Sequence, residues 1–288
     1  MKNTSSNSCL FSIVIATYNS AATLDRCLKS LLEQSFDRFE VLISDGGSTD
    51  NSMEIAAEYS EIVSYAHSAP DKGIYDAWNK ALPNVNGRWV LFLGSDDCLA
   101  DNNVLQALSE KVALTSSETL FIFSEVQMVE SINSMRKTEI IGQESLNFYR
   151  TRFLDEMLFS HTGCLHRSDT FNTFGLFDIG FRIGGDYDFL LRSIEKDVVK
   201  IDKHEQVAIV MGQGGSSSSY KTRVLTYQEA IKARQQNGIS HFSKILHYRL
   251  FVSYVVYYIN KIFGNRVLIT LSNIYRTLLG KPKRNSYD

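Results

Sequence analysis

Cysteine is scarce in this sequence, and scattered. Four occur in 288 residues, Cys9, Cys27, Cys98 and Cys164, and no two have the C-x-x-C spacing. That argues against a disulfide framework and against a zinc site, and it suits a reducing cytosol. The fingerprints G-x-G-x-x-G and G-x-x-x-x-G-K-S/T are absent, which removes the main support for a dinucleotide-dependent oxidoreductase or a P-loop NTPase. Met1 to Ser8 is polar and lacks the apolar core of a signal peptide. The longest apolar run, Leu250 to Ile259 with Ser253 its one polar residue, is about half the roughly 20 residues that a spanning helix needs. A large excess of charge is missing too. At a net −2, nothing global suggests a nucleic-acid partner.

What charge there is lies unevenly. From Ser240 to Tyr287 there are eight Lys or Arg and no Asp or Glu, which leaves the rest of the chain at about −10. With 44% hydrophobic residues the chain can bury the core of one large domain and carry an appendage.

The pivotal stretch is Trp89-Val-Leu-Phe-Leu-Gly-Ser-Asp-Asp-Cys98. Five apolar residues running abruptly into Gly, Ser and two adjacent carboxylates read as a strand buried on both faces. Phe11–Thr17 and Phe39–Ser44 read the same way, and Ile62–Tyr65 as a third strand before it. Between these strands the spacing predicts a helix with Leu24, Cys27, Leu28, Leu31 and Leu32 on one face. A second helix is predicted from about Ser52 to Tyr59. A third runs from Ile74 to Leu82, with Ile74, Trp78 and Leu82 inward. Strand alternating with helix means a parallel α/β sheet with right-handed crossovers. Further strands are expected at Leu120–Val129 and Val207–Met211, with a charged, hairpin-like stretch reaching Ile141.

Ligands of open α/β sheets collect at the carboxyl ends of the strands. Tyr18 ends the first strand, Asp45 the second, and Asp96 and Asp97 the later one. A planar ring, a lone carboxylate and a carboxylate pair suit a base, a ribose and a metal-bound diphosphate, because Mg²⁺ and Mn²⁺ bridge carboxylates to phosphate oxygens. A solvated turn is the alternative for the acidic pair.

Four segments now carry a resemblance: Ile13-Val-Ile-Ala-Thr-Tyr-Asn19, Asp45-Gly-Gly-Ser-Thr-Asp50, Pro70-Asp-Lys-Gly-Ile-Tyr-Asp-Ala-Trp-Asn-Lys80 and Gly94-Ser-Asp-Asp97. Together they resemble the successive signatures of family 2 glycosyltransferases with the GT-A fold, over about Phe11 to Gly215. The third segment is similar to that of bacterial transferases that build surface polysaccharides. The resemblance implies a mixed, mostly parallel sheet flanked by helices, with an α-helical C-terminal extension. It implies that Thr17, Tyr18, Asn19, Asp45 and Gly46 hold the uracil and ribose of a UDP-sugar. Asp71, Lys72, Gly73, Asp76 and Asn79 would lie along the nucleotide-sugar. Asp97, with Asp96, would ligate Mn²⁺ or Mg²⁺, and Asp96 could instead meet ribose or sugar. The family pattern is usually Asp-x-Asp, so the division of labour in a contiguous pair stays open.

A second dense stretch is Phe181-Arg-Ile-Gly-Gly-Asp-Tyr-Asp-Phe-Leu-Leu-Arg192. Carboxylates in a first helical turn are favoured by the dipole alone. By the resemblance Asp186 is the catalytic base and Asp188 its support or an acceptor contact, with Gly185 replacing the acidic neighbour of many members. His161, Arg182, Gly214 and Gly215 would touch acceptor or diphosphate, although a lone His is commonly structural. An inverting transfer needs only one base and one cation.

The sequence is therefore expected to comprise a disordered 1–10, a catalytic 11–220 and a helical extension, 221–288. The catalytic part would divide into a nucleotide-sugar half of about 11–100 and an acceptor half of about 101–220. The extension carries Tyr254, Tyr257, Tyr258 and Tyr275 among Lys and Arg. That suits a helix lying on an anionic membrane at the inner face of the cell membrane, near a polyprenyl-diphosphate-linked saccharide acceptor. Helices packed on the body, or a homodimer interface, are the alternative. A non-catalytic binding module and a nucleotidyltransferase are the rival functions. The latter expects a basic Gly-rich loop that Ala16–Ser20 does not provide.

Overall fold

The computed structural model describes residues 8–130, 137–145, 147–148, 152, 154, 160–193, 201–212, 219–240 and 242–278. Its frame is one sheet. β1 (Phe11–Thr17), β2 (Phe39–Asp45), β3 (Val63–Ser68) and β4 (Trp89–Gly94) run parallel in the order β3-β2-β1-β4. β8 (Cys164–Arg167) joins β4 antiparallel and leads to β6 (Phe121–Val129), β9 (Ile201–Gly212) and the two-residue β5 (Cys98–Leu99). β7 (Lys137–Ile141) pairs antiparallel with β6, as the hairpin-like stretch predicts.

Both faces of this sheet are covered, which is why its central strands are apolar without alternation. Ile13 and Ile15 of β1 pack with Leu91 and Leu93 of β4 under α1 (Leu24–Leu32), α2 (Ser52–Glu58) and α4 (Val104–Leu114). Val14, Val90 and Phe92 point the other way, toward α3 (Ile74–Ala81), α5 (Thr170–Phe174) and α6 (Gly185–Ser193). Phe92 sits within 6 Å, centroid to centroid, of Trp78, His161, His166, Phe171 and Phe177. Burying a ring of that size contributes roughly 2–3 kcal/mol.

Several expectations need correction. In α3 the inward residues are Tyr75, Ala77, Trp78 and Ala81, while Ile74 is 42% exposed. The helix starts at Ile74 and turns Trp78 inward as expected, but in its first turn Tyr75, not Ile74, is captured by the core. Leu32 is also exposed, at the end of α1. β3 runs to Ser68 and is half open, as a sheet edge is. β9 begins six residues before Val207, its early part paired to β6 with two register shifts that hide a simple apolar run.

The chain ends in α7 (Tyr220–Gln236), α8 (Lys244–Phe263) and α9 (Asn265–Leu278). Val224, Ala230 and Ala233 of α7 and Leu246 of α8 are buried, so these helices pack on the body. No helix among the described residues is long and apolar enough to cross a membrane.

Candidate active site

The β1–α1, β2–α2 and β4–β5 loops meet at the carboxyl end of the parallel strands, where the strand order reverses. They are stitched by short polar bonds. Asn19 adopts a left-handed turn (φ 50°), accessible to Asn, and its Oδ1 accepts from the Thr49 N–H at 2.9 Å. Ser20 Oγ lies 2.9 Å from Ser95 Oγ. Asp45 is buried and accepts five bonds, from Thr17 Oγ1, Ser48 N and Oγ, Gly47 N and Ser68 Oγ. Burial raises the pKa of its carboxyl, but these bonds outweigh it and hold the pKa below the usual range. Asp45 thus organises the loop.

Over this base the Tyr18 ring stands 66% exposed. A Cβ on Gly46 would lie 3.3 Å from that ring and 2.7 Å from Asp71 Oδ2, so glycine keeps the gap between them open. Gly73 has φ 122°, a conformation reserved for glycine, and Lys72 beside it is exposed. Asp76 closes this turn, accepting from Lys72 N at 3.0 Å and pairing with Lys80 at 3.1 Å. Asn79 spends both ends of its amide on the backbone of Phe177.

The two acidic neighbours behave differently. Asp96 is exposed, whereas Asp97 is buried and accepts from Thr162 Oγ1 at 3.0 Å. Burial, and next the charge of Asp96, push the Asp97 carboxyl up to about 7. From the position of a Cβ on Gly94, Asp97 Oδ2 would be 2.8 Å away and Asp96 Oδ1 2.9 Å. Both carboxylates therefore converge over a glycine that leaves them room. Among the described residues no group of three or more His, Cys, Asp or Glu is placed to hold a metal. A cation here would draw on this pair and complete its shell from substrate oxygens and water, a common arrangement for Mg²⁺ and Mn²⁺. On that chemistry the pair fits such an ion.

His161 is a core residue. It stacks on Trp78 and Phe92, its Nε2 meets that of His166 at 2.9 Å, and burial drives its pKa down to about 3.

Asp186 stands half-buried at the start of α6. Its Oδ1 accepts from Tyr187 N at 2.8 Å and lies 3.3 Å from the Tyr75 hydroxyl. Burial pushes its pKa up to about 6, with the charge of Glu229 adding to the rise. Glu229, on α7, accepts from the N–H groups of Arg182, Ile183 and Gly184 and so clamps the loop that carries Asp186. Asp186 opens onto a cavity of about 670 Å³ whose walls include Trp78, Arg182, Lys221, Tyr254 and Tyr257. Asp188 is buried elsewhere, paired with Arg192 at 3.0 Å and bonded by Asn237 at 2.9 Å, where it joins α6 to the end of α7. Gly214 and Gly215 fall outside the described residues.

Residues 12–166 match the family model described as Glycosyl transferase family 2, more than half of the chain. The chain belongs to glycosyltransferase family 2. It is 30% identical over 218 residues to the PGL/p-HBAD biosynthesis glycosyltransferase of Mycobacterium bovis, covering 73% of this chain and 80% of that protein. Among solved structures it resembles S. aureus TarS 1–349 in complex with UDP-GlcNAc (TM-score 0.60, 18% identity, 84% of this chain and 70% of that one). It spans 39% of a longer TarS chain. It also resembles the mannosyltransferase PcManGT from Pyrobaculum calidifontis, in complex with GDP-Man and Mn²⁺ (TM-score 0.60, 15% identity, 93% and 80%). The fold is accordingly the GT-A type that the motifs led one to expect.

Within this glycosyltransferase three contributors escaped sequence reasoning: Thr162 at Asp97, Tyr75 at Asp186, and Glu229 beneath the loop. Tyr75 lay within a motif already singled out. Glu229, in a polar helix 43 residues past Asp186, carries no local signal.

Proposed function

We propose that this glycosyltransferase is an inverting, metal-dependent hexosyltransferase that uses a UDP-sugar and a saccharide acceptor carried on a polyprenyl diphosphate. Its product would belong to a surface polysaccharide such as O-antigen or capsule. The observation that carries this reading is a pair of acidic centres, one just past the end of β4 and one at the start of α6. Asp96 and Asp97 converge over Gly94, and Asp186, with its raised pKa, faces a cavity. Two structural neighbours are complexes, one with UDP-GlcNAc and one with GDP-Man and Mn²⁺, which supports a nucleotide-sugar donor and a cation.

In this reading the exposed Tyr18 ring stacks on the base and Asp71 lies across Gly46 from it, while Thr17, Asn19 and Asp45 shape the loop beneath. Asp97 and Asp96 would hold Mn²⁺ or Mg²⁺, which supplies positive charge to the departing diphosphate. Asp186 takes the proton of the acceptor hydroxyl as that oxygen attacks the anomeric carbon. The anomeric carbon–oxygen bond breaks, and UDP leaves with the electron pair. Tyr75 and Glu229 keep Asp186 in place. A base ionised only above about pH 6 is strong enough to help and is still ionised at neutral pH.

The exposed Phe251, Val255, Tyr258 and Ile262 of α8, with the basic charge of the tail, would rest on an anionic membrane at its cytoplasmic face. Co-sedimentation with anionic vesicles, lost on Phe251→Glu, checks that part. The activity is tested by UDP release from a panel of UDP-sugars with Mn²⁺, with and without chelator. Metal-dependent release from one donor is expected. Silence across the panel together with no UDP binding would reject the reading.

A further inference from the structure

The cavity at Asp186 is built as much by the C-terminal helices as by the body. Ile74, Tyr75 and Trp78 of α3 face Val224 and Leu225 of α7 across it, and Tyr254 and Tyr257 of α8 complete the wall. Tyr254 and Tyr257 lie one turn apart, on one side of the helix. Gln228 Nε2 donates to the Tyr254 hydroxyl at 2.8 Å and fixes that ring. The adjoining side of α8 presents Phe251, Val255, Tyr258 and Ile262 to solvent, spaced by three or four residues, and Tyr258 stacks on Tyr254 with ring centroids 6.4 Å apart. The aromatic wall of the cavity therefore runs on, through Tyr258, into an exposed apolar outer stripe of α8.

The charges in the cavity are equally one-sided. Asp186 is its one carboxylate among the lining residues, and Arg182 and Lys221 are its two cations. Both cations are exposed, and neither forms an ion pair among the described residues. Tyr18, Asp96 and Asp97 do not line this space. The rings of Trp78, Tyr254 and Tyr257 can stack on the apolar face of a sugar, but a neutral sugar gives Arg182 and Lys221 no counter-charge. An apolar wall with unpaired cations fits phosphate joined to hydrocarbon.

We propose that this cavity is the acceptor site and that it binds the phosphate-bearing, apolar stem of a lipid-linked acceptor. Arg182 and Lys221 take the phosphates, and Tyr254 and Tyr257 take the first part of the chain. The hydrocarbon beyond follows α8 to its apolar outer face. The C-terminal helices thereby select the acceptor as well as meeting a surface. The inference rests on the transferase reading, since it takes Asp186 to mark the acceptor side.

Farnesyl diphosphate is a suitable probe, followed by tryptophan fluorescence, because Trp78 lines the cavity whereas Trp89 is buried in β4. The full chain should bind it. Arg182→Ala with Lys221→Ala should weaken binding by about tenfold or more, the effect of losing charge-assisted hydrogen bonds. Tyr257→Ala should weaken it too, and Lys221→Arg should retain it. Inorganic diphosphate and farnesol alone should each bind much less well than the joined molecule. Saturating UDP with Mn²⁺ should not displace the probe, and its affinity should be the same in wild type and variants. Equal probe affinity in the double variant, or displacement by UDP, would overturn the acceptor assignment. Failure of UDP to bind the wild-type chain would instead overturn the transferase reading beneath it.

Discussion

Gly185 lies flat against the ring of Tyr75: a Cβ there would stand 2.8 Å from the ring carbons, closer than real side chains come. The Tyr75 hydroxyl meanwhile donates to the carbonyl of Ile183 and sits 3.3 Å from Asp186 Oδ1. One ring therefore holds the Ile183 carbonyl and the Asp186 carboxylate on either side of the position where the resemblance expects an acidic residue. The glycine is what this tight fit requires.

Gly185→Ala should push Tyr75 or the Asp186 loop aside. Turnover should fall while Mn²⁺-dependent UDP affinity holds, because Tyr18, Asp96 and Asp97 do not line the cavity that this contact borders. Calorimetry beside a UDP-release assay separates the two. Unchanged turnover would show that the fit at Gly185 does not matter.

The pH profile follows from the raised pKa of Asp186. A base works ionised, so kcat/KM should climb as pH rises through about 6 and level off above it. The negative charge of Glu229 opposes ionisation of Asp186. Glu229→Gln should therefore move the acid limb to lower pH, while the loosened 182–184 loop lowers the plateau. A limb that stays fixed or moves upward contradicts the coupling.

Asp97→Asn keeps the shape of a buried side chain and removes a charge crowded by Asp96. The thermal midpoint should hold or rise, while Mn²⁺ no longer strengthens UDP binding. Retained metal-dependent affinity would move the cation site elsewhere.

Phe92 is 1% exposed at the centre of the aromatic cluster behind both acidic sites. Phe92→Ala should cost about 3–5 kcal/mol in urea unfolding. A loss below about 1 kcal/mol would mean that the cluster closes over the gap.

Legibility in the sequence tracked how local each signal is. β1 and β4 end where their apolar runs stop, and Asp96, Asp97 and Asp186 stand at such ends or at a helix start. β5 has two residues and a partner more than a hundred positions away, so no local pattern marks it. The phase of α3 depends on Tyr75 finding Phe177 and Gly185, both supplied from far along the chain. Asp188 and Asp186 look equivalent two residues apart, yet helical geometry turns one toward Arg192 and Asn237 and the other toward the cavity. The tail is apolar on more than one side. Its sequence therefore suits packing and surface contact alike, and α8 packs on the body through one side while leaving another exposed.

The division of labour between Asp186 and the Asp96–Asp97 pair is the centre of this account. The direct measurement is Asp186→Asn, with single-turnover transfer and Mn²⁺–UDP affinity determined on the same preparation. Transfer should fall by roughly 10²–10⁴, the usual contribution of a positioned base, with UDP affinity unaltered. Transfer near the wild-type rate would contradict the assignment of Asp186 as base. Joint loss of transfer and UDP affinity would contradict the separation of the two sites.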